Sequence, residues 1–381
     1  MKRFYRFYKK VRNNLIMHKI IFTAKISRLK IEQRKQRTIQ INYLKEKQIE
    51  KLKKIIVFLV PANDVVNGGV MSIFTIANFM RKHYDKHQAE VFVCTYPHNE
   101  YCTYYTKFKN EEVLIAFDLL LEKAKNLEVI TLHCPEVFVE KLAFYMGNKY
   151  LRKIKKIKKA QLNILKQNKF VPKYEIELLK QFFHYYTCTT AHKKYCTQEL
   201  ADQLKMPVLH LSVKNMFANY TKVPFENRQN LLIYSPDFCE LKERILTDLK
   251  KEIPGLILIK INNLTFDKYL ELVHNAKWSI TFGEGLDFYF YDIVRTGGIS
   301  FAVYNSEYFT ADYKNLPTIY ESYDVMMQNI VNDINYLNNK ELYQKTNQTL
   351  LSKLIEHYKD EEYEENIIKF LNNEFMFYPN D

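Results

Sequence analysis

The stretch Trp278 to Asn305, WSITFGEGLDFYFYDIVRTGGISFAVYN, leaves the chain few folds to adopt. Trp278 to Phe282 is a short apolar run of β-formers, and Gly283-Glu284-Gly285 breaks it. Leu286 to Arg295 has the length and spacing of a short helix, with Gly297-Gly298 where a C′ glycine belongs. Ile299 to Tyr304 is again strand-like. Strands alternating with helices imply a parallel sheet, and such sheets bind ligands beyond the carboxyl ends of their strands. Glu284 sits at such an end.

Glycine usage points the same way. Of only 8 glycines in 381 residues, four are Gly283, Gly285, Gly297 and Gly298, and two more, Gly68 and Gly69, follow another strand-like run. A chain this poor in glycine keeps it where a positive φ or a close backbone approach is required. Two clusters at strand ends, one holding a carboxylate, mark a candidate ligand site.

The net charge of +14 is concentrated in one segment. Residues 1–54 hold 18 Lys/Arg against three acids, a charge of +15, and the other 327 residues sum to −1. Residues 1–54 lack Pro and Gly, and Leu15, Ile16, Ile20, Ile21, Ile26, Leu29, Ile49 and Leu52 recur at roughly helical spacing. This reads as a basic amphipathic helical arm, suited to an anionic membrane surface, to pairing with another helix or a second copy, or to solvent. A nucleic-acid reader would carry its charge on the folded domain, so nucleic acid is the least favoured partner. Six cysteines without a C-x-x-C pair, and no cleavable signal pattern, imply free thiols in a reducing cytoplasm. The apolar runs are of strand length, too short to span a bilayer.

Along the chain, Lys54 to Pro61 reads as a buried strand, Asn63 to Gly69 as its loop, and Val70 to Arg81 as an amphipathic helix. That opening places backbone N–H groups and a helix N-terminus at a strand end, where an anion is stabilised. Strands follow over Glu90–Tyr96 and Glu128–Leu132, the latter delivering His133 to the sheet edge. Residues 149–169 read as a second basic amphipathic surface, and strands return at Phe183–Thr190 and Pro207–Leu211. The expected units are a helical arm (1–54), a first doubly wound domain (55–211), a second (230–355) after a polar linker, and a C-terminal helix (356–381) packing back on the first. The fold class is α/β, with two Rossmann-like domains.

Two such domains, a glycine loop on the first, and G-E-G with a distal acid on the second resemble a glycosyltransferase of the GT-B type over about residues 55–375. The runs TFGEGLDFYF and GGISFAVYN, with LIYSPD at Leu232–Asp237, are similar to bacterial surface-polysaccharide glycosyltransferases. Retaining members often carry two acids separated by seven residues. Glu284 and Asp292 have that spacing, although Asp292 stands where Glu is usual. The resemblance implies that Glu284 contacts the donor sugar or the reacting centre, that Asp292 meets the ribose, and that His133 hydrogen-bonds the sugar. One helix would space the two acids two turns apart.

The leaving nucleoside diphosphate builds negative charge that a metal or fixed donors must stabilise. No two aspartates lie two apart, so the Asp-x-Asp of metal-dependent transferases is missing, and no metal or other cofactor is expected. Gly68, Gly69, Gly283 and Gly285 would offer N–H groups, with Lys242 and Arg244 as cations. The expected partners are a nucleotide-sugar donor, a glycan or lipid-linked acceptor, and an anionic membrane met from the cytoplasmic side. Two other classes stay open: an epimerase of similar architecture, and a non-enzymatic basic-armed binding protein.

Overall fold

Ile55 to Val60 is a run of six residues buried on both faces, as a strand must be when helices cover the sheet on either side. The computed structural model describes residues 29–83, 88–96, 102–145, 148–168, 171–214, 216, 218 and 220–380. That run lies in β1 (Lys54–Pro61) of a seven-stranded sheet, with β2 (Glu90–Tyr96), β3 (Ile115–Ala116), β4 (Val129–Pro135), β5 (Lys159–Lys166), β6 (Tyr185–Thr190) and β7 (Val208–His210). Every pairing is parallel, in the order β3-β2-β1-β4-β5-β6-β7.

A second parallel sheet holds β8 (Gln229–Tyr234), β9 (Ile257–Lys260), β10 (Ala276–Thr281), β11 (Ile299–Val303) and β12 (Ile319–Tyr320), in the order β12-β11-β10-β8-β9. Strand order reverses between β1 and β4 in the first sheet and between β8 and β10 in the second. A crevice opens beyond the carboxyl ends of strands at such a reversal. The two crevices face each other.

The C-terminal helices divide between the domains. Helix Lys340–His357 stays on the second, where Tyr343 donates to Lys277 O at 2.7 Å and Asn347 Nδ2 to Val294 O at 2.9 Å. Helix Asp360–Leu371 returns to the first: Tyr363 meets Phe79 edge-on at 5.3 Å, and Val208 N donates to Phe377 O at 2.8 Å beyond it.

Two expectations need correction. Residues 29–46 form a helix, but it is docked on the first domain and is not a free arm. Gln40 and Leu44, one turn apart, are buried, and Gln40 Oε1 accepts from Ala116 N at 3.0 Å, satisfying the edge of the sheet at β3. Lys47 pairs with Glu90 at 2.6 Å. Residues 1–28 lie outside the described residues. The basic stretch 149–169 also divides: Asn148–Lys155 is a helix, but 159–166 is β5, a central strand. Gln161 and Asn163 make β5 look polar in sequence, yet they bond Thr187 and Thr189 of β6 at 3.2 and 2.9 Å. Residues 115–116 form the short edge strand β3 directly ahead of helix Phe117–Lys123.

If the helix over 29–46 is part of the first domain, Leu44→Ala should cost about 2–5 kcal/mol in urea unfolding, the usual range for a buried leucine. A detached arm would lose no more than about 0.5 kcal/mol, as at an ordinary surface position.

Candidate active site

The carboxyl ends of β8 and β10 are tied together before either contributes to the cleft. Ser235, just after β8, accepts from Phe282 N at 2.9 Å through its hydroxyl. The chain then turns through Gly283 and Gly285, both in the left-handed region, with φ of 78° and 82°. A Cβ on Gly285 would stand 2.6 Å from the Phe309 ring and 3.0 Å from Val303 O. Thr281 Oγ1 donates to Gly285 O at 2.7 Å and closes the loop. This bend carries Glu284 into the cleft.

Helix Phe288–Arg295 follows, with Asp287 as its N-cap accepting from Phe290 N at 3.1 Å. Glu284 is therefore in the loop, not on one helix with Asp292. The two glycines and the Asp287 cap delay the helix start past it.

Across the cleft, Asn67 caps helix Gly68–Lys82 by accepting from Val70 N at 2.8 Å. Gln167 Nε2 donates to Gly69 O at 3.1 Å. The Phe288 ring fills the space a side chain on Gly68 would need. Two helix N-termini, one from each domain, thus border a single cleft of about 720 Å³. The residues around it include Lys107, Asn168, His192, Asp237, Glu284, Asp287 and Asp292.

Its electrostatics follow from burial. Burial raises the Glu284 carboxyl; the Tyr308 hydroxyl opposes this and the nearby Asp237 adds to it. Asp287 is pushed well up by burial, with Asp237 and Glu284 reinforcing the shift. His192 is driven down to about 4, first by burial and then by His210 and Lys166, so its imidazole is neutral at ordinary pH. Its ring meets Tyr308 of the second domain edge-on at 5.5 Å.

Several candidates from the sequence sit elsewhere. His133 does not face the cleft. It is fully buried, stacked on Phe58 at 4.1 Å and tilted against Phe370, with Asn163 Nδ2 3.0 Å from its Nδ1. Burial alone holds it down at about 3. The strand runs three residues further than its apolar stretch suggests, which draws His133 inside. Lys242 ties the loop from below, donating to Ser235 O at 2.7 Å and Asp237 O at 2.8 Å. Arg244 is exposed and does not border the cleft. Asp292 borders the cleft but exposes no surface. Its two oxygens accept from Tyr220 at 2.7 Å and Tyr269 at 2.9 Å. Among the described residues no group of three His, Cys, Asp or Glu is placed to hold a metal ion.

Sequence reasoning missed Asp237, Asp287 and His192. Asp237 ends the LIYSPD run, Asp287 is two residues past the glycine loop, and His192 follows a β-rich stretch in TTAHKK. Each lies just beyond a strand's carboxyl end, the signal that would have found them.

No protein-family model matches the chain, and no curated protein matches its sequence. Among solved structures it is similar to Anabaena Alr3699/HepE in complex with UDP-glucose, with a TM-score of 0.51, 10% identity, and 84% of this chain and 99% of that one covered. It is also similar to S. aureus MnaA in a co-structure with UDP (TM-score 0.48, 11% identity, covering 86% and 99%). The likeness to an accessory secretory protein chain of Streptococcus pneumoniae has a TM-score of 0.42 at 11% identity and covers 67% of this chain. There the chain spans only 57% of the other's length. The architecture is GT-B: two doubly wound domains facing across a cleft.

Burial raises Asp292 from 3.8 to about 7 against the opposing bonds from Tyr220 and Tyr269. A carboxyl that holds its proton more tightly when folded adds stability that is full below its unfolded value and is lost as pH rises through about 7. Asp292→Asn should therefore flatten the fall in unfolding free energy between about pH 4 and 7 relative to the wild type. Parallel pH profiles for the two proteins would discount this account.

Proposed function

We propose that the protein transfers a sugar from a nucleotide-sugar donor to a cell-surface glycan or lipid-linked acceptor, as a metal-independent glycosyltransferase that retains the anomeric configuration. The observation that carries this reading is the Gly283–Gly285 loop. It presents Glu284 at the strand-order reversal of the second sheet, opposite the N-terminus of helix Gly68–Lys82. In HepE, a protein of the same fold, the ligand named is UDP-glucose.

The second domain holds the donor and the first receives the acceptor. As the bond from the anomeric carbon to the diphosphate breaks, charge grows on the leaving oxygens. N–H groups at Gly68 and Gly69 and at the start of helix Phe288–Arg295 are the fixed dipoles that meet it. Glu284 faces the sugar, either holding its hydroxyls or stabilising positive charge at the reacting carbon. His192, neutral and on the acceptor side, replaces His133 as the imidazole of this site.

The enzyme works at the inner face of the cytoplasmic membrane. The +15 of residues 1–54 supports this, as do Leu29 and Ile31, 62% and 53% exposed, beside Lys30 and Arg34. Among the described residues no helix is long and apolar enough to cross a bilayer. Each basic side chain at an anionic surface contributes about 1 kcal/mol. Flotation should show salt-sensitive binding to anionic vesicles and little to neutral ones. Equal binding to both, or none, removes the membrane from the reading.

A thermal-shift screen of nucleotide sugars should find the donor, since a ligand at a hundred times its Kd adds about 2.7 kcal/mol. With that donor, Glu284→Gln should cut transfer at least about a hundredfold, roughly 2.7 kcal/mol of transition-state stabilisation, and leave the Tm unchanged. A lowered Tm with turnover spared would make Glu284 structural. Conversion of the donor without any acceptor would make the enzyme an epimerase.

A further inference from the structure

The linker between the domains is fastened to the helix that opens the donor side. Tyr220, in the linker, donates to Asp292 Oδ1 at 2.7 Å, and both residues lie against other aromatic groups. The Arg295 guanidinium sits 4.8 Å over the Tyr220 ring, and Tyr291 meets that ring edge-on at 5.8 Å. Three residues on, Val223 N donates to Thr296 O at 2.9 Å. Arg228 then bonds Val223 O at 3.1 Å and also the Thr296 carbonyl.

On its other side the same helix is joined to the donor loop. Tyr269 donates to Asp292 Oδ2 at 2.9 Å and to Phe288 O at 3.1 Å. Asp287 caps the helix two residues after Gly285, and Phe288 rests on Gly68 of the first domain. Both Asp292 oxygens are taken and neither is exposed, so a ribose hydroxyl would have to displace a tyrosine to reach this carboxylate.

We infer that Asp292 and Tyr220 are positioning residues: they tie the interdomain linker to helix Phe288–Arg295, so that the relative placement of the domains sets the position of Glu284. This rests on the glycosyltransferase reading, and it takes from Asp292 the ribose contact that the motif spacing implies. The tie acts through the helix, so weakening it shifts turnover more than nucleotide affinity.

The test uses the full chain, with Tyr220→Phe, Asp292→Asn and the double variant. Hydrogen exchange of the Val223 amide reads the linker, calorimetry with UDP reads the nucleotide site, and steady-state kinetics read transfer. Losing one buried hydrogen bond should speed Val223 exchange about tenfold in either single variant, and the double should add little. UDP affinity should stay within about threefold in all three, while kcat falls about tenfold with KM little changed. Glu284→Gln should leave Val223 exchange at the wild-type rate. If Asp292→Asn weakens UDP about tenfold or more while Tyr220→Phe does not, and Val223 exchange is unmoved, Asp292 is a nucleotide ligand and the inference fails. If UDP binds none of the proteins, the exchange data still decide the tie, and the affinity arm is run with the nucleotide of the donor that the screen finds; no binding by any screened nucleotide sugar is a failure of the functional reading.

Discussion

The second domain depends on one buried guanidinium. Arg228 is 5% exposed and donates to four backbone carbonyls, those of Val223, Val273, Ala276 and Thr296. Those four lie in the linker, at the end of helix Phe266–Asn275, at the start of β10, and just past helix Phe288–Arg295. A planar fork of five donors can bind four carbonyls held at fixed angles; the compact ammonium of lysine cannot. A buried cation without a carboxylate is tolerated only when its donors are met in this way. The price is room, which the glycine pair supplies. Gly297 has a φ of 101° and a Cβ there would lie 3.0 Å from Val223 O, while a Cβ on Gly298 would lie 3.1 Å from the guanidinium.

This explains which glycines belong to the cleft. In the sequence, Gly297-Gly298 and Gly283-Glu284-Gly285 look alike, two clusters at two element ends. In space, the first makes way for an arginine and the second turns a carboxylate outward. The distinction depends on Arg228, about seventy residues upstream, and no local pattern reveals it.

Much of the architecture was readable because both sheets are parallel and covered on both faces. Such strands stand out as unbroken apolar runs, as Ile55–Val60 does. Where a buried strand contains amides, as β5 does, the run is broken and the strand is concealed. Its Asn163 is satisfied only by residues of neighbouring strands, which are distant in sequence. The site was legible at the level of the loop, through Glu284 and the glycines around it. It was not legible at Asp292, where spacing implied a ligand contact and two tyrosines from separate elements enclose the side chain. Nor was it legible at His133, where three more residues of pairing with β5 move it from the sheet edge into the core.

The chain passes between the domains twice, through the linker that holds Tyr220 and again between Tyr358 and helix Asp360–Leu371. The two passages meet at one ring. Tyr291 contacts Tyr220 at 5.8 Å and Tyr358 at 5.5 Å, both edge-on. Two covalent crossings beside one point define an axis, the line about which a rotation of one domain against the other would strain the chain least. Near that axis the displacement is small, and Asp292 lies there. Far from it the lever arm is long. There a backbone bond from Phe266 N to Lys107 O at 2.7 Å and the Lys109–Asp267 ion pair at 3.9 Å join the domains on the rim of the cleft. A given rotation about that axis therefore displaces the rim of the cleft more than its floor.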